Sequence, residues 1–166
     1  TSVQKFSLKE LSRNSNAVVI ARVASTESRW DGGEIYTYTR VEVVDGLKGA
    51  KKGDAIVVRQ LGGQVGELAS IVPGMPSFHS GEEVVLFLSR KDKAGYPWVM
   101  GLEQGKYTIS SDGKGSKRVR RSSGGLNLVG SDGKGAPEET SLDVFLDEVR
   151  VELGLPATIN EAEGVQ

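Results

Sequence analysis

The stretches Ala17–Thr26, AVVIARVAST, and Ile35–Val44, IYTYTRVEVV, are the most strand-like in the sequence. The first is a nearly unbroken apolar run, and the second is dense in β-branched and aromatic residues, as buried or half-buried strands require. A short connection, Arg29–Glu34, contains Asp31-Gly32-Gly33 and joins the two stretches. Two strands of this length need further strands to cover them, so this pair predicts a mainly β fold.

Further strands are predicted where apolar runs lie between turn residues. They are Ala55–Leu61, a weaker strand ending near Val72, Glu82–Ser89, Trp98–Leu102, Lys106–Ser110, Lys117–Arg121 and Leu126–Val129. Glycine supplies 22 of the 166 residues, above the usual share of about 7%, which indicates many turns. Alternation along the second long strand places Tyr36 and Tyr38 on its outer face, opposite the inward set Ile35, Thr37, Thr39, Val41 and Val43.

Two helices are predicted to flank these strands. Ser7 and Glu10 form a capping box for a short helix that ends near Asn14. The longer helix is predicted over Thr140–Leu153, where apolar residues recur at helical spacing before Gly154. We expect one domain across residues 1–166, with a barrel and flanking helices in 6–153 and a polar tail in 154–166.

The composition excludes several classes of protein. With 21 Lys and Arg against 22 Asp and Glu, the net charge of −1 gives no overall field toward nucleic acid or an anionic membrane. The absence of cysteine excludes a disulfide framework and thiolate metal sites. No apolar run approaches the roughly 20 residues of a membrane span. Because the chain begins at Thr1, we expect a mature extracytoplasmic protein, secreted or periplasmic, after signal removal.

Several sequence blocks, in order, carry a family resemblance: SLKEL, NAVVIARVAST, YTYTRVEVVDGLKG, VVRQLGGQVG, GEEVVLFL and GLEQGKYTI. They resemble a family of bacterial, mostly uncharacterised extracytoplasmic domains. The segments Ser15–Val23 and Tyr38–Gly49 are more distantly similar to netrin-like modules and tissue inhibitors of metalloproteinases. The resemblance implies an OB-like β-barrel with flanking helices. Those inhibitors act through an amino-terminal cysteine, which this chain lacks.

No pattern in the sequence predicts catalysis, a metal or a cofactor. His79 is the only histidine, whereas metal sites need two to four ligands and a catalytic histidine needs an orienting partner. The glycine-rich stretch 62–66 lacks the Gly-Lys-Ser/Thr of a phosphate loop, so a strand bend is favoured. The pentapeptide Ser-Asp-Gly-Lys-Gly occurs at Ser111–Gly115 and Ser131–Gly135, and each copy has too few carboxylates for calcium. Both copies predict tight turns.

One basic stretch favours a polyanion as an alternative partner. Five cations lie within eight residues, without an acid among them: Lys114, Lys117, Arg118, Arg120 and Arg121. Clustered cations bind phosphate or sulfate by releasing counterions. However, strand alternation divides these side chains between two faces, and no aromatic residue is interleaved for base stacking. A solvated edge strand explains the stretch at least as well, which disfavours nucleic acid.

The sequence therefore favours a non-enzymatic extracytoplasmic module that binds another protein, and the distant resemblance suggests a modulator of a secreted protease. A self-assembling secreted protein remains an alternative, since strand addition between copies orders chain ends. Tyr36 and Tyr38 could form a carbohydrate or protein contact, or pack across strands. The candidate binding residues are Thr1, Ser2, Tyr36, Tyr38, Lys117, Arg118, Arg120 and Arg121.

Overall fold

The computed structural model describes residues 2–122, 127–129 and 135–156. Within these ranges the chain forms short and long strands and two helices. In chain order they are β1 (Ser2–Gln4), α1 (Leu8–Asn14), β2 (Ala17–Asp31), β3 (Glu34–Lys48), β4 (Ala55–Leu61), β5 (Gly63–Val65), β6 (Leu68–Ser70), β7 (Glu83–Leu88), β8 (Lys106–Ser111), β9 (Lys117–Arg121), β10 (Asn127–Val129), β11 (Glu139–Ser141) and α2 (Leu142–Leu153). A 3₁₀ turn, Leu102–Gly105, precedes β8.

The main sheet has seven strands in the order β11-β9-β8-β7-β2-β3-β4, and every neighbouring pair is antiparallel. Strands β5 and β6 form a small hairpin, and β1 pairs with β10 in parallel. The prediction of a mainly β fold is therefore confirmed, together with a short helix before the long strands and a longer helix after the sheet.

Strands β2 and β3 are longer than predicted and form one hairpin of 15 residues on each side. Gly32 and Gly33 make its turn with φ of 61° and 89°, the left-handed conformation that two-residue hairpin turns favour. Residues 17–22, the inner part of β2, are hydrogen-bonded to β7 as well as to β3. Residues 23–31, its outer part, extend beyond β7. Three register shifts between β2 and β3 bend this hairpin.

The two faces of the sheet each carry a buried cluster. One cluster contains Val18, Ile20 and Phe87 of the sheet with Phe145 and Val149 of α2. The other joins residues of β2, β3, β4 and β7, including Val19, Val41, Val58 and Leu86, and is closed by Phe78 from the loop after β6. The strands are buried on both sides near their inner ends, which explains the unbroken apolar run at the start of β2.

The predicted caps are present in the structure. Ser7 Oγ accepts from the Glu10 amide, and the Glu10 carboxylate accepts from the Ser7 amide, which completes the capping box of α1. Ser141 caps α2 through the Val144 amide, and Gly154 ends that helix with φ of 72°. No helix in the described part of the chain is long and apolar enough to span a bilayer.

The OB-like closed barrel is not confirmed, because the described strands form an open sheet with β4 and β11 at its edges. The segment after β7 comes closest to closing it. The Arg59 amide on β4 donates to the Pro97 carbonyl, while Val99 bridges to Leu88 of β7. The predicted strand Trp98–Leu102 is also wrong, since only this bridge and the 3₁₀ turn form there. A single hydrogen bond to β4 leaves a seam at this point instead of a continuous ladder.

The other strand predictions differ in detail. Ala55–Leu61 and Lys117–Arg121 have the predicted bounds, but β9 lies between β8 and β11 and is not an edge strand. The weak strand ends at Ser70 instead of near Val72. Within the predicted Leu126–Val129, the structure describes Asn127–Val129. The second Ser-Asp-Gly-Lys-Gly and the tail beyond Pro156 fall largely outside the described residues.

Candidate functional site

Aromatic and arginine side chains gather on one face of the outer half of the β2–β3–β4 sheet. Cross-strand pairing sets Arg29 opposite Tyr36, and Tyr38 opposite Arg59. Because side chains alternate along a strand, these four lie on the same face, away from Thr39 and Val41. The segment after β7 adds two more rings. We call this group the aromatic–arginine face: Arg29, Tyr36, Tyr38, Arg59, Tyr96 and Trp98.

Tyr36 and Tyr38 each have a guanidinium over the ring. Arg29 Cζ lies 3.6 Å from the centroid of the Tyr38 ring, and Arg59 Cζ lies 3.7 Å from that of Tyr36. Cation–π contacts are worth about 0.5–1 kcal/mol at exposed positions and about 2 kcal/mol when desolvated. Arg59 is 9% exposed and belongs to the desolvated class, whereas the Arg29 side chain is 49% exposed.

Tyr96 and Trp98 contact the tyrosines through ring edges. Tyr96 meets Tyr38 at a centroid distance of 5.2 Å and an interplanar angle of 73°. Trp98 meets Tyr36 at 6.4 Å and 84°. These are the edge-to-face geometries that the aromatic quadrupole favours. The two rings thus hold the segment after β7 against β3 and β4.

Asp92 fixes the loop that presents these two rings. Its carboxylate accepts hydrogen bonds from Trp98 Nε1 at 2.7 Å and from the Ala94 and Tyr96 amides at 2.9 and 3.0 Å. Burial raises the pKa of Asp92, but these hydrogen bonds and the charge of Arg59 outweigh it and hold the pKa below its ordinary value. The carboxylate therefore stays ionised near neutral pH and orients the Trp98 indole.

Asp31 plays a similar part at the end of β2. Its Oδ2 accepts from Tyr38 Oη at 3.2 Å and from Arg59 Nη1 at 3.5 Å. Burial and this hydrogen bond to Asp31 raise the pKa of Tyr38, which keeps the phenol protonated as a donor. Arg59 Nε is buried and has no hydrogen-bond partner among the described residues. The buried guanidinium of Arg59 therefore has one nitrogen, Nη1, that donates to Asp31 and one, Nε, that has no partner among the described residues.

The prediction that Tyr36 and Tyr38 lie on the outer strand face agrees with this arrangement, but neither ring is bare. Tyr38 is only 7% exposed, because Arg29 and Tyr96 cover it, and Tyr36 is half-buried. Tyr38 is therefore a packing residue, whereas Tyr36 packs across the strands and keeps part of its surface exposed.

The four basic candidate residues lie elsewhere, on β9, and each is close to an acid. Lys117 pairs with Glu83 at 3.1 Å, and Arg118 and Arg120 pair with Glu139 at 3.4 and 3.9 Å. Arg121 is buried, 3.9 Å from Glu138, and donates to the Ala136 carbonyl. Their charges are thus partly neutralised within the chain. Thr1 lies outside the described residues, and Ser2 begins β1, which pairs with β10.

The described residues contain no group of three or more His, Cys, Asp or Glu side chains able to hold a metal ion. His79 is exposed, and its amide donates to the Glu82 carboxylate. The arrangement on the aromatic–arginine face offers stacked cations, ring edges and hydrogen-bonding groups.

Sequence reasoning found Tyr36 and Tyr38 but not Arg29, Arg59 or Asp92. One signal was available for Arg59: it is a charged residue that directly follows the apolar run AIVV inside the predicted strand Ala55–Leu61. A charge at such a position is expected to have a partner nearby. For Asp92 the signal was Asp92-Lys93-Ala94-Gly95, which predicts a turn that returns the chain toward Trp98. Which strands these loops meet depends on the sheet order, which sequence spacing does not contain.

No protein-family model, no curated protein and no solved structure matches this chain.

Proposed function

We propose that this protein is a non-enzymatic, extracytoplasmic interaction module that binds another protein through its aromatic–arginine face. The observation that carries the proposal is the stack of Tyr36 and Tyr38 beneath two guanidiniums, fixed in place by Asp31 and Asp92. Tyrosine, tryptophan and arginine are the residues most enriched at binding hot spots. The location outside the cell rests on the family resemblance alone.

Preorganisation of these side chains supports the proposal. An interface costs free energy for every side chain that becomes ordered on binding. Here Trp98 is already held by its 2.7 Å bond to Asp92, and Tyr36 is held between Arg59 and Trp98. Neither cluster of the hydrophobic core includes these rings, so their packing is not explained by closure of the core. A partner would meet a rigid surface at a small entropic cost.

A protein partner is favoured over a carbohydrate. Sugars stack on the open faces of aromatic rings, but Arg29 and Arg59 occupy faces of the two tyrosines. The Trp98 indole N–H, which would otherwise reach a sugar hydroxyl, is committed to Asp92. A protein surface can instead present carboxylates to the half-exposed Arg29 and apolar groups to the ring edges.

The test is affinity capture from the extracellular fraction of the source organism, with matched bait proteins. Trp98→Ala removes a ring of the proposed face, whereas Trp30→Ala removes a ring that is 51% exposed and points to the other side of β2. We expect wild type and Trp30→Ala to capture the same partner, and Trp98→Ala to bind it about tenfold more weakly or worse. Circular dichroism confirms that each bait is folded. Equal affinity of both variants for the partner would exclude this face.

The finer proposal, that the partner is a secreted metalloprotease, rests on the distant similarity to metalloproteinase inhibitors alone. It is tested by adding the purified domain to secreted metalloprotease activity. We expect a change in rate that Trp98→Ala reduces, and an unchanged rate removes this version while leaving the interaction module in place.

A further inference from the structure

The seam between β4 and β7 forms a cleft of about 460 Å³, and its lining shares only Tyr96 with the aromatic–arginine face. One wall is the outer edge of β4, from Asp54 to Val57. The other wall is the segment from Ser89 to Pro97, and the closed end is the start of β2 at Asn16 and Ala17. We call this the seam cleft. It exists because the 97–100 segment bonds to β4 at one residue only.

The β4 wall presents backbone groups without partners. The Arg59 amide points away from β3, since it donates to the Pro97 carbonyl, whereas the Asp54 carbonyl accepts from Val43 of β3. Backbone direction alternates along an antiparallel strand, so Ala55 and Val57 also direct their N–H and C=O groups away from β3 and into the cleft. No hydrogen bond within the described part of the chain engages these groups. They continue the ladder that Arg59 and Pro97 begin.

Positive charge surrounds this edge. Lys51 and Lys52 lie in the turn between lining residues Ala50 and Asp54, and Arg90, Lys91 and Lys93 lie in the opposite wall segment. All five are exposed, and none forms an ion pair with a described residue. The same loops carry two acids, Asp54, which lines the cleft and accepts from the Lys51 amide, and Asp92, which holds the Trp98 loop, so the five cations outnumber them.

One side of the cleft, its floor, is apolar, although Asn16, Asp54, Ser89 and Lys91 also line the cleft. Leu88 and Ala17 are buried, and Ala50 and Ile56 are half-buried against the second core cluster. An extended peptide places alternate side chains on opposite sides. One set can therefore contact this apolar floor while the other set faces the cationic rim.

We propose that the seam cleft binds an extended, carboxylate-bearing segment of a partner protein by strand addition to the outer edge of β4. Main-chain hydrogen bonds to Ala55 and Val57 supply the strand pairing, and the rim cations select acidic side chains. Nucleic acid fits less well, because phosphates can use the cations but cannot satisfy an alternating row of donors and acceptors. The site shares Tyr96 with the aromatic–arginine face and is otherwise formed by different residues.

The proposal is tested with the synthetic peptide acetyl-Glu-Val-Glu-Val-Glu-amide and the whole chain. Binding is measured by fluorescence anisotropy of a labelled peptide, and the amides of Ala55 and Val57 are followed by NMR. We expect a saturable complex that weakens with added salt, and a shift and slowed hydrogen exchange at the Val57 amide. A peptide in which every backbone amide of the valines and glutamates is N-methylated is expected to bind about tenfold more weakly or worse, because it lacks edge donors in either strand direction.

Two variants separate backbone pairing from charge. Val57→Pro removes one outward N–H at an edge position that tolerates proline, and it is expected to weaken the unmodified peptide about tenfold. Lys91→Gln is expected to weaken the peptide less and to reduce the salt dependence, whereas Lys114→Gln, on a distant turn, serves as the matched control. The N-methylated peptide keeps the test decisive if Val57→Pro fails to fold.

Three results would overturn the proposal. The first is no binding of the peptide at millimolar concentration. The second is equal affinity for the N-methylated and unmodified peptides. The third is tighter binding of a single-stranded oligonucleotide of matched charge that Val57→Pro leaves unchanged, which would assign the rim cations to a polyanion instead.

Discussion

The contact between Arg59 and Tyr36 offers the sharpest test of how the aromatic–arginine face is held together. The perturbation is a double-mutant cycle with Arg59→Met, Tyr36→Leu and the double variant. Methionine keeps most of the apolar stem of Arg59 but removes its charge, and leucine keeps an apolar side chain but removes the ring. The cycle therefore isolates the cation–π term from the effect of either side chain alone.

The expected coupling free energy follows from the distance between the Arg59 guanidinium and the Tyr36 ring and from the burial of Arg59. Arg59 Cζ lies 3.7 Å from the Tyr36 centroid, and Arg59 is 9% exposed, so the contact belongs at the desolvated end of the range, about 1–2 kcal/mol. The ion pair with Asp31 adds less than about 1 kcal/mol, since it is 3.5 Å long and the Asp31 side chain is 53% exposed. The loss of this ion pair also cancels in the cycle, because Arg59→Met removes it both with Tyr36 present and with Tyr36→Leu.

The assay is urea denaturation of the four proteins at neutral pH. We expect a coupling free energy of unfolding of about 1–2 kcal/mol with an unchanged m value. At this chain length, each kcal/mol corresponds to a shift in melting temperature of roughly 2–4 °C. Coupling below about 0.3 kcal/mol, the usual limit of additivity, would refute the inference that the ring and the guanidinium interact.

Three further predictions concern stability. Asp92→Asn is expected to destabilise the fold more near pH 7 than near about pH 2. A carboxyl whose pKa is lowered by folding contributes stability above its unfolded pKa of about 3.9 and loses that contribution as the pH falls through the folded pKa. The urea midpoints of wild type and variant at the two pH values measure this difference, and an equal loss of stability at both would contradict it. Phe145→Ala is expected to lower the free energy of unfolding in urea by about 3–5 kcal/mol, because Phe145 is fully buried against Phe87 and Tyr107. A decrease of less than about 1 kcal/mol would show that α2 does not pack against the sheet as described. Gly63→Ala places a Cβ against the Ser28 and Thr37 hydroxyls at a φ of 137°. It is expected to lower the melting temperature more than Gly66→Ala, because Gly66 also has a positive φ but has open space around it. Equal shifts in melting temperature would mean that the close packing at Gly63 does not contribute to stability.

Local features of the fold were predictable because their causes lie within a few residues. The capping box of α1 needs only Ser7 and Glu10 three positions apart, and the hairpin turn needs only Gly32 and Gly33 between two strand-forming runs. Strand bounds such as Ala55–Leu61 follow from one apolar run between glycines and charges. Each of these features is decided before the chain forms distant contacts.

Barrel closure and the position of β9 depend on contacts between distant parts of the chain. Whether the sheet closes is decided by the reach of the segment around Pro97 toward Arg59, which are separated by a hairpin and a whole strand. The basic residues of β9 suggested an edge, but β11 pairs there and supplies Glu139 to Arg118. A short strand such as Glu139–Ser141 leaves almost no periodic signal in sequence.

Only part of the candidate site was predictable, because its other residues depend on contacts between distant parts of the chain. Alternation along β3 assigns Tyr36 and Tyr38 to one face, and that assignment needs no partner strand. The arginines above the rings come from β2 and β4, and Asp92 comes from a loop after β7, so their convergence requires the strand order. Sequence reasoning therefore identified the rings and missed the groups that fix them.

Hydroxyl-radical footprinting of the protein with its captured partner tests the central claim most directly, because it reports which side chains the partner covers. We expect oxidation of Tyr36 and Trp98 to fall when the partner is bound, while oxidation of Trp30, on the opposite side of β2, stays the same. Protection of Trp30 with Tyr36 and Trp98 unchanged would place the interface on the other face and contradict the proposed binding surface.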